Sequence, residues 1–121
     1  MARGFAFVIG IVLLAVGAWG MTSGGHDHFM WFFAVNGLHN LIHSAAGGAA
    51  LLAAILGERT AQFVCLLLGV LFGLLAVAGF FGVPWVSDPL NLDLADNILH
   101  LCVSVGCLFF GGFAPSAVPR A

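Results

Sequence analysis

The chain has 121 residues, 62% of them hydrophobic and 7% charged, with a formal net charge of −2 at pH 7. A soluble globular domain carries about 25% charged residues, so this chain lacks the polar material to cover a water-exposed surface, and a lipid bilayer is the solvent its composition fits. Lysine is absent and the three basic residues are scattered, which excludes the basic patch of a nucleic-acid-binding protein.

The first predicted element is an apolar helix over residues 4–22; Phe5 to Ser23 contains no Asp, Glu, Lys or Arg. Arg3, the apolar run and Ala18-Trp19-Gly20 together look like a cleaved signal. The run to Met21 nevertheless has the roughly 20 residues that a crossing needs, so it is expected to remain as a span. The loop that follows contains His26-Asp27-His28. Alternating His near Met21 and Met30 has the ligand chemistry of a copper or zinc site; the competing reading is two solvated histidines on a glycine-flanked loop.

The second helix is predicted over 30–57. Asn36, His39, Asn40 and His43 are spaced i, i+3, i+4, i+7 and so share one face. Ser44, Gly47, Gly48, Ala49, Ala50, Ala53 and Ala54 follow, small residues that let helices approach closely in lipid. Gly57-Glu58-Arg59-Thr60 reads as a tight turn with Glu58 solvated. The third helix is predicted over 61–82, and Ala61 to Ser87 is again free of Asp, Glu, Lys and Arg. Its Gly69-Val70-Leu71-Phe72-Gly73 is a GxxxG, expected to pack inside the bundle rather than to form a homodimer face. This helix ends before Val83-Pro84-Trp85. The fourth is predicted over 93–114, with Asp93 as N-cap and Asp96 in the first turn, where the helix dipole favours negative charge. Asp96, Asn97 and His100 lie on one face at i, i+1, i+4.

Two of these segments look like copies: Asn40-Leu41-Ile42-His43 and Asn97-Ile98-Leu99-His100. Gly10-Ile11-Val12-Leu13 likewise resembles Gly69-Val70-Leu71-Phe72. The expected fold is all-α, a four-transmembrane-helix bundle built from two repeated hairpins, about 1–57 and 58–121, in one membrane domain. Arg3, Arg59 and Arg120 all fall on one side of such a bundle, which puts both termini in the cytoplasm. The other side carries His26, Asp27, His28, Asp88, Asp93 and Asp96, together with Trp19, Trp31 and Trp85 near helix ends. Both His43 and His100 then lie at similar depth in the outer half. Cys65, Cys102 and Cys107 form no CxxC pair and read as small packing residues rather than as a thiolate site.

Polar groups facing lipid would go unsatisfied, so the two polar faces should point into the bundle. One reading is mutual hydrogen bonding among Asn36, His39, Asn40, His43, Asp96, Asn97 and His100, which ties the hairpins together. The other is a ligand site. His43 and His100 suit the axial positions of a haem, or they join His39 and Asp96 around a transition-metal ion. A bacteriochlorophyll fits less well, because His39 and Asp96 occupy the positions four before each His, where a small residue is usual. A proton relay would need an inner exit, and the inner halves are purely apolar.

The segments Asn36 to Gly47 (NGLHNLIHSAAG) and Asp96 to Gly106 (DNILHLCVSVG), each after a glycine-rich apolar helix, resemble a family of small bacterial membrane proteins, domain-of-unknown-function family 4383. The resemblance covers most of the chain. It implies four helices with Asn-x-x-His in the second, here Asn40 and His43, and Asp-Asn-x-x-His starting the fourth, here Asp96, Asn97 and His100. It carries no activity; the expected location is the bacterial inner membrane. No nucleophile-base-acid set, phosphate loop or paired catalytic carboxylates is present in the sequence, so an enzyme is not expected. The reading that follows is a non-catalytic accessory or structural subunit among other membrane-protein subunits, of respiratory or photosynthetic type. The alternative is a haem- or metal-binding membrane protein using the histidines of the second and fourth helices.

Overall fold

The computed structural model describes residues 1–23, 28–30 and 33–113; His26, Asp27, Trp31 and Arg120 lie outside them. Among the described residues, four helices are long and apolar enough to cross a membrane: Ala2–Thr22, Gly37–Leu56, Glu58–Phe80 and Leu94–Phe113. The elements in chain order are α1 (Ala2–Ser23), β1 (His28–Met30), β2 (Phe33–Val35), α2 (Gly37–Leu56), α3 (Glu58–Phe80), α4 (Pro84–Leu90) and α5 (Leu94–Leu108).

α2 begins at Gly37, well after the expected residue 30. His28–Met30 and Phe33–Val35 pair instead as a small antiparallel ribbon, with His28 opposite Val35 and Met30 opposite Phe33. Phe33 and Val35 are aromatic and β-branched and favour extended backbone. Asn36 is also extended, at φ −150°, and its side chain accepts from the His39 N–H at 3.0 Å. Asn36 is therefore the N-cap that starts α2, not a member of its polar face.

The expected four-residue turn between α2 and α3 shrinks to Gly57 alone, at φ +129° and ψ 178°. That region of backbone space is open essentially to glycine. Glu58 starts α3 and is not merely solvated. Its Oε1 accepts from the Met1 amine and the Ala2 N–H, both at 2.8 Å, and its Oε2 accepts from the Arg3 N–H at 3.2 Å. One carboxylate thus serves the N–H groups that open α1, which have no partner within their own helix. Arg3 Nε donates to the Ala54 carbonyl at 2.7 Å. These bonds put the chain start and the α2–α3 turn at one end of the bundle.

At the opposite end, the expected loop contains α4. Pro84 sits at its first turn, where a missing N–H costs nothing. Asn91 ends it in the left-handed region, at φ 52°. Asp93 caps α5 as expected: its Oδ1 accepts from the Asp96 N–H at 2.9 Å, and Asp96 Oδ2 accepts from the Asp93 N–H at 3.0 Å. Asp93 Oδ2 also accepts from the Ala34 N–H at 3.1 Å, so one residue joins helix start to ribbon. Asp93→Ala is expected to cost about 1–2 kcal/mol, read as a lower melting temperature in detergent. Asp93→Asn keeps the cap acceptor and should recover part of the loss. Beyond Leu108 the helix widens into a π turn over Phe109–Phe113, so regular α-helix stops short of the expected residue 114.

Packing joins α1 to α2 and α3 to α5 most extensively. The contacts rest on glycine. Gly10 lies against Leu51 and the Gly47 backbone, and Gly69 lies against Leu108. Gly20 faces Asn40, and Gly79 faces Asn97. Gly69 and Gly73, the ends of the GxxxG, both face α5 inside the bundle, and Ser104 Oγ donates to the Gly69 carbonyl at 2.6 Å. Leu13, Leu68, Phe72 and Val103 fill the core beside Cys65 and Cys107. Those two thiols are free and buried, whereas Cys102 is exposed.

Candidate metal centre

α2 and α5 start at the same end, each from a capped first turn. At 1.5 Å per residue, His43 and His100 both lie about 9 Å below the first residue of their helices. Both are 1% exposed, as is His39. His43 Nε2 and His100 Nε2 are 3.3 Å apart. The His39 ring packs edge-on against His43, with centroids 4.5 Å apart, and lies 5.3 Å from His100. One nitrogen from each of the three rings lies within 4.8 Å of the others.

Phe72 of α3 closes one flank, with its ring centroid 5.3 Å from His100 and 6.1 Å from His43. Ala34, Val35 and Leu90, all buried, come from the ribbon and α4 at the capped end. His39 lies beside the Ala34 and Leu90 backbones without hydrogen-bond geometry at either ring nitrogen. Asn36 Nδ2 donates to the Pro89 carbonyl at 2.8 Å, and Asn91 Nδ2 donates to the Val35 carbonyl at 3.2 Å. Ribbon and α4 are thereby tied into one cap.

The cluster is poor in internal bonds. His43 and His100 can share one N–H···N bond at 3.3 Å. Both nitrogens of His39 and the Nδ1 atoms of His43 and His100 are buried without a hydrogen-bond partner. So are both side-chain polar atoms of Asn40, Asp96 Oδ1 and Asn97 Oδ1. Each such group costs about 1–3 kcal/mol if nothing meets it. Of the expected network of mutual hydrogen bonds, only the His43–His100 pair is formed among the described residues.

The structure brings His39, His43 and His100 together and leaves the other expected members elsewhere. Asn36 is a cap. Asn40 and Asn97 turn toward Gly20 and Gly79 on the neighbouring helices. Asp96 engages Asp93 through the capping box and is not in the three-histidine group. His28 sits half-buried in β1, outside that group, and His26 lies outside the described residues. Sequence reasoning missed Phe72 as a wall of the site, although it ends the Gly-Val-Leu-Phe segment. It also missed Gly20 and Gly79 as the seats of the two asparagines; a glycine near the end of an apolar helix carries no such signal by itself.

A small membrane protein whose four long apolar helices enclose three clustered histidines is the class that fold and site define. The chain belongs to the domain-of-unknown-function family DUF4383, whose profile matches residues 3–113. No curated protein and no solved structure matches it significantly.

Proposed function

We propose that the protein binds one first-row transition-metal ion on His39, His43 and His100, inside a duplicated pair of hairpins. The observation that carries this reading is the 3.3 Å separation of His43 Nε2 and His100 Nε2. Two nitrogens bound at about 2.0–2.1 Å to one tetrahedral ion stand about 3.3–3.4 Å apart. One nitrogen of His39 lies within 4.8 Å of a nitrogen of each other ring, so a shift of His39 on the order of 1 Å brings it to the nitrogen spacing of a shared ion. Imidazole suits zinc, copper, iron and nickel, and does not suit magnesium or calcium. The haem alternative fits less well. Axial imidazoles lie on opposite faces of a macrocycle, whereas here the two rings pack against each other and against Phe72.

Duplication is supported by matched partners. Asn36 and Asp93 are both N-caps. Gly20 meets Asn40 as Gly79 meets Asn97, and Gly10 meets Leu51 as Gly69 meets Leu108. His43 and His100 are corresponding residues, 57 apart in sequence, and their Nε2 atoms are 3.3 Å apart. In this reading the ion ties α2 to α5, the protein is non-catalytic, and both termini face the cytoplasm of a bacterial inner membrane. The ribbon and α4 cover the site, which favours holding an ion over exchanging substrate. Phe81, Trp85 and Phe113, 82%, 80% and 81% exposed, offer surface to lipid or to other membrane subunits.

A cobalt titration tests the reading. Metal-free protein should take up one Co²⁺ and develop the visible bands of a tetrahedral nitrogen site, bleached by added Zn²⁺. A spectrum matching hexa-aqua Co²⁺ throughout would count against it.

A further inference from the structure

At the end of the bundle away from the histidines, a groove of about 520 Å³ runs between α1 and α2, lined by Met1, Arg3, Gly4, Phe7, Ala54, Ile55 and Glu58. We infer that this groove binds the headgroup and upper acyl chain of an anionic glycerophospholipid.

Charge and depth both point to this ligand. Glu58 is committed: it pairs with the Met1 amine at 2.8 Å and takes the N–H groups of Ala2 and Arg3. That leaves the Arg3 guanidinium as the uncompensated charge of the groove. Its Nε–H is held by the Ala54 carbonyl at 2.7 Å, which fixes the plane of the group. The N–H groups on its two terminal nitrogens have no acceptor among the described residues. A planar, oriented fork of this kind matches two oxygens of a phosphate. Toward the bilayer centre the groove is apolar: Phe7 and Ile55 are 52% and 72% exposed, and Gly4 contributes no side chain, with open space around its Cβ position. Phosphate-binding donors at the helix ends above an apolar channel are the order of groups in a phospholipid. A free phosphate would leave the Phe7 and Ile55 walls unused.

The test is native mass spectrometry of the full chain with phosphatidylglycerol and phosphatidylcholine of identical acyl chains. A single basic residue near a membrane surface favours anionic lipid by about fivefold, and wild type should retain phosphatidylglycerol over phosphatidylcholine by at least that ratio. Arg3→Gln should bring the ratio to unity while leaving the melting temperature within a few degrees. Gly4→Leu, which fills the groove from an open position, should lower retention of both lipids with the helical circular-dichroism signal unchanged. Excess glycerol 3-phosphate should displace neither. Equal retention of the two lipids by wild type, or a preference that survives Arg3→Gln, would overturn the inference. Displacement by glycerol 3-phosphate would also overturn it, by assigning the groove to soluble phosphate esters.

Discussion

His43→Ala and His100→Ala are each expected to abolish stoichiometric metal binding and, with it, the stabilisation that metal confers. The two nitrogens are 3.3 Å apart, so removing either leaves two ligands from three and a void beside Phe72. Affinity should fall by more than about 100-fold, since even the loss of outer hydrogen-bond partners of a metal site costs about 10–100-fold. The separation of roles lies in the thermal shift. An ion at 100 times its dissociation constant stabilises the folded state by about 2.7 kcal/mol, which for a chain of this size is on the order of 10 °C. Wild-type protein should gain that shift on adding Zn²⁺. Both alanine variants should melt lower than metal-free wild type, because their hairpins lose a contact, and should gain nothing from Zn²⁺. Asp96→Asn should keep the Zn²⁺ shift, since Asp96 caps α5 rather than joining the ligand set. A zinc shift that persists in His43→Ala would remove that residue from the site.

The second large effect is a contrast between neighbours. Gly47→Ala should destabilise the protein by about 2–3 kcal/mol, and Gly48→Ala should stabilise it by about 0.5–1 kcal/mol. The substitution is the same, on adjacent residues of one helix. A Cβ at Gly47 would lie 2.6 Å from the Leu14 backbone nitrogen and 2.7 Å from the Gly10 carbonyl oxygen, and backbone cannot rotate away. α1 and α2 would have to move apart, loosening the contact along Gly10, Gly17 and Gly20. At Gly48 nothing lies within 4 Å of the added carbon, so the variant keeps its packing and gains helix propensity. Melting of the two variants in one detergent checks both signs. Equal shifts would contradict the close approach of α1 and α2.

Much of the fold was legible because bilayer helices are written in composition. Four apolar runs and the cap at Asp93 follow from charge placement and local chemistry alone. The errors fell where one residue type serves two purposes. Asn36 stands in phase with His39, Asn40 and His43, and an N-cap occupies the same phase as the face it precedes, so periodicity alone does not separate cap from face. Phe33-Ala34-Val35 is apolar enough to extend a predicted helix, and only pairing with residues 28–30 makes it a strand. Glu58 read as a turn residue, yet acidic residues are also favoured in a first helical turn, and its bonds reach back to the chain start. Pro84 carried a usable sign for α4, as proline at a first turn. Which histidines meet is a tertiary fact. The two Asn-x-x-His segments pointed to His43 and His100, while the inclusion of His39 and the exclusion of Asp96 depend on how α2 and α5 are rotated against each other. The glycine seats of Asn40 and Asn97 were hidden for the same reason.

The most direct test of the metal centre is elemental analysis of the purified, detergent-solubilised protein after equilibration with Zn²⁺ and removal of free ion, with absorption spectra of untreated protein in oxidised and dithionite-reduced forms. A three-histidine centre predicts one zinc per chain, absent from the His43→Ala/His100→Ala double variant, and no Soret band. Protein that retains no zinc, or one that shows a Soret band lost in the double variant, would contradict it.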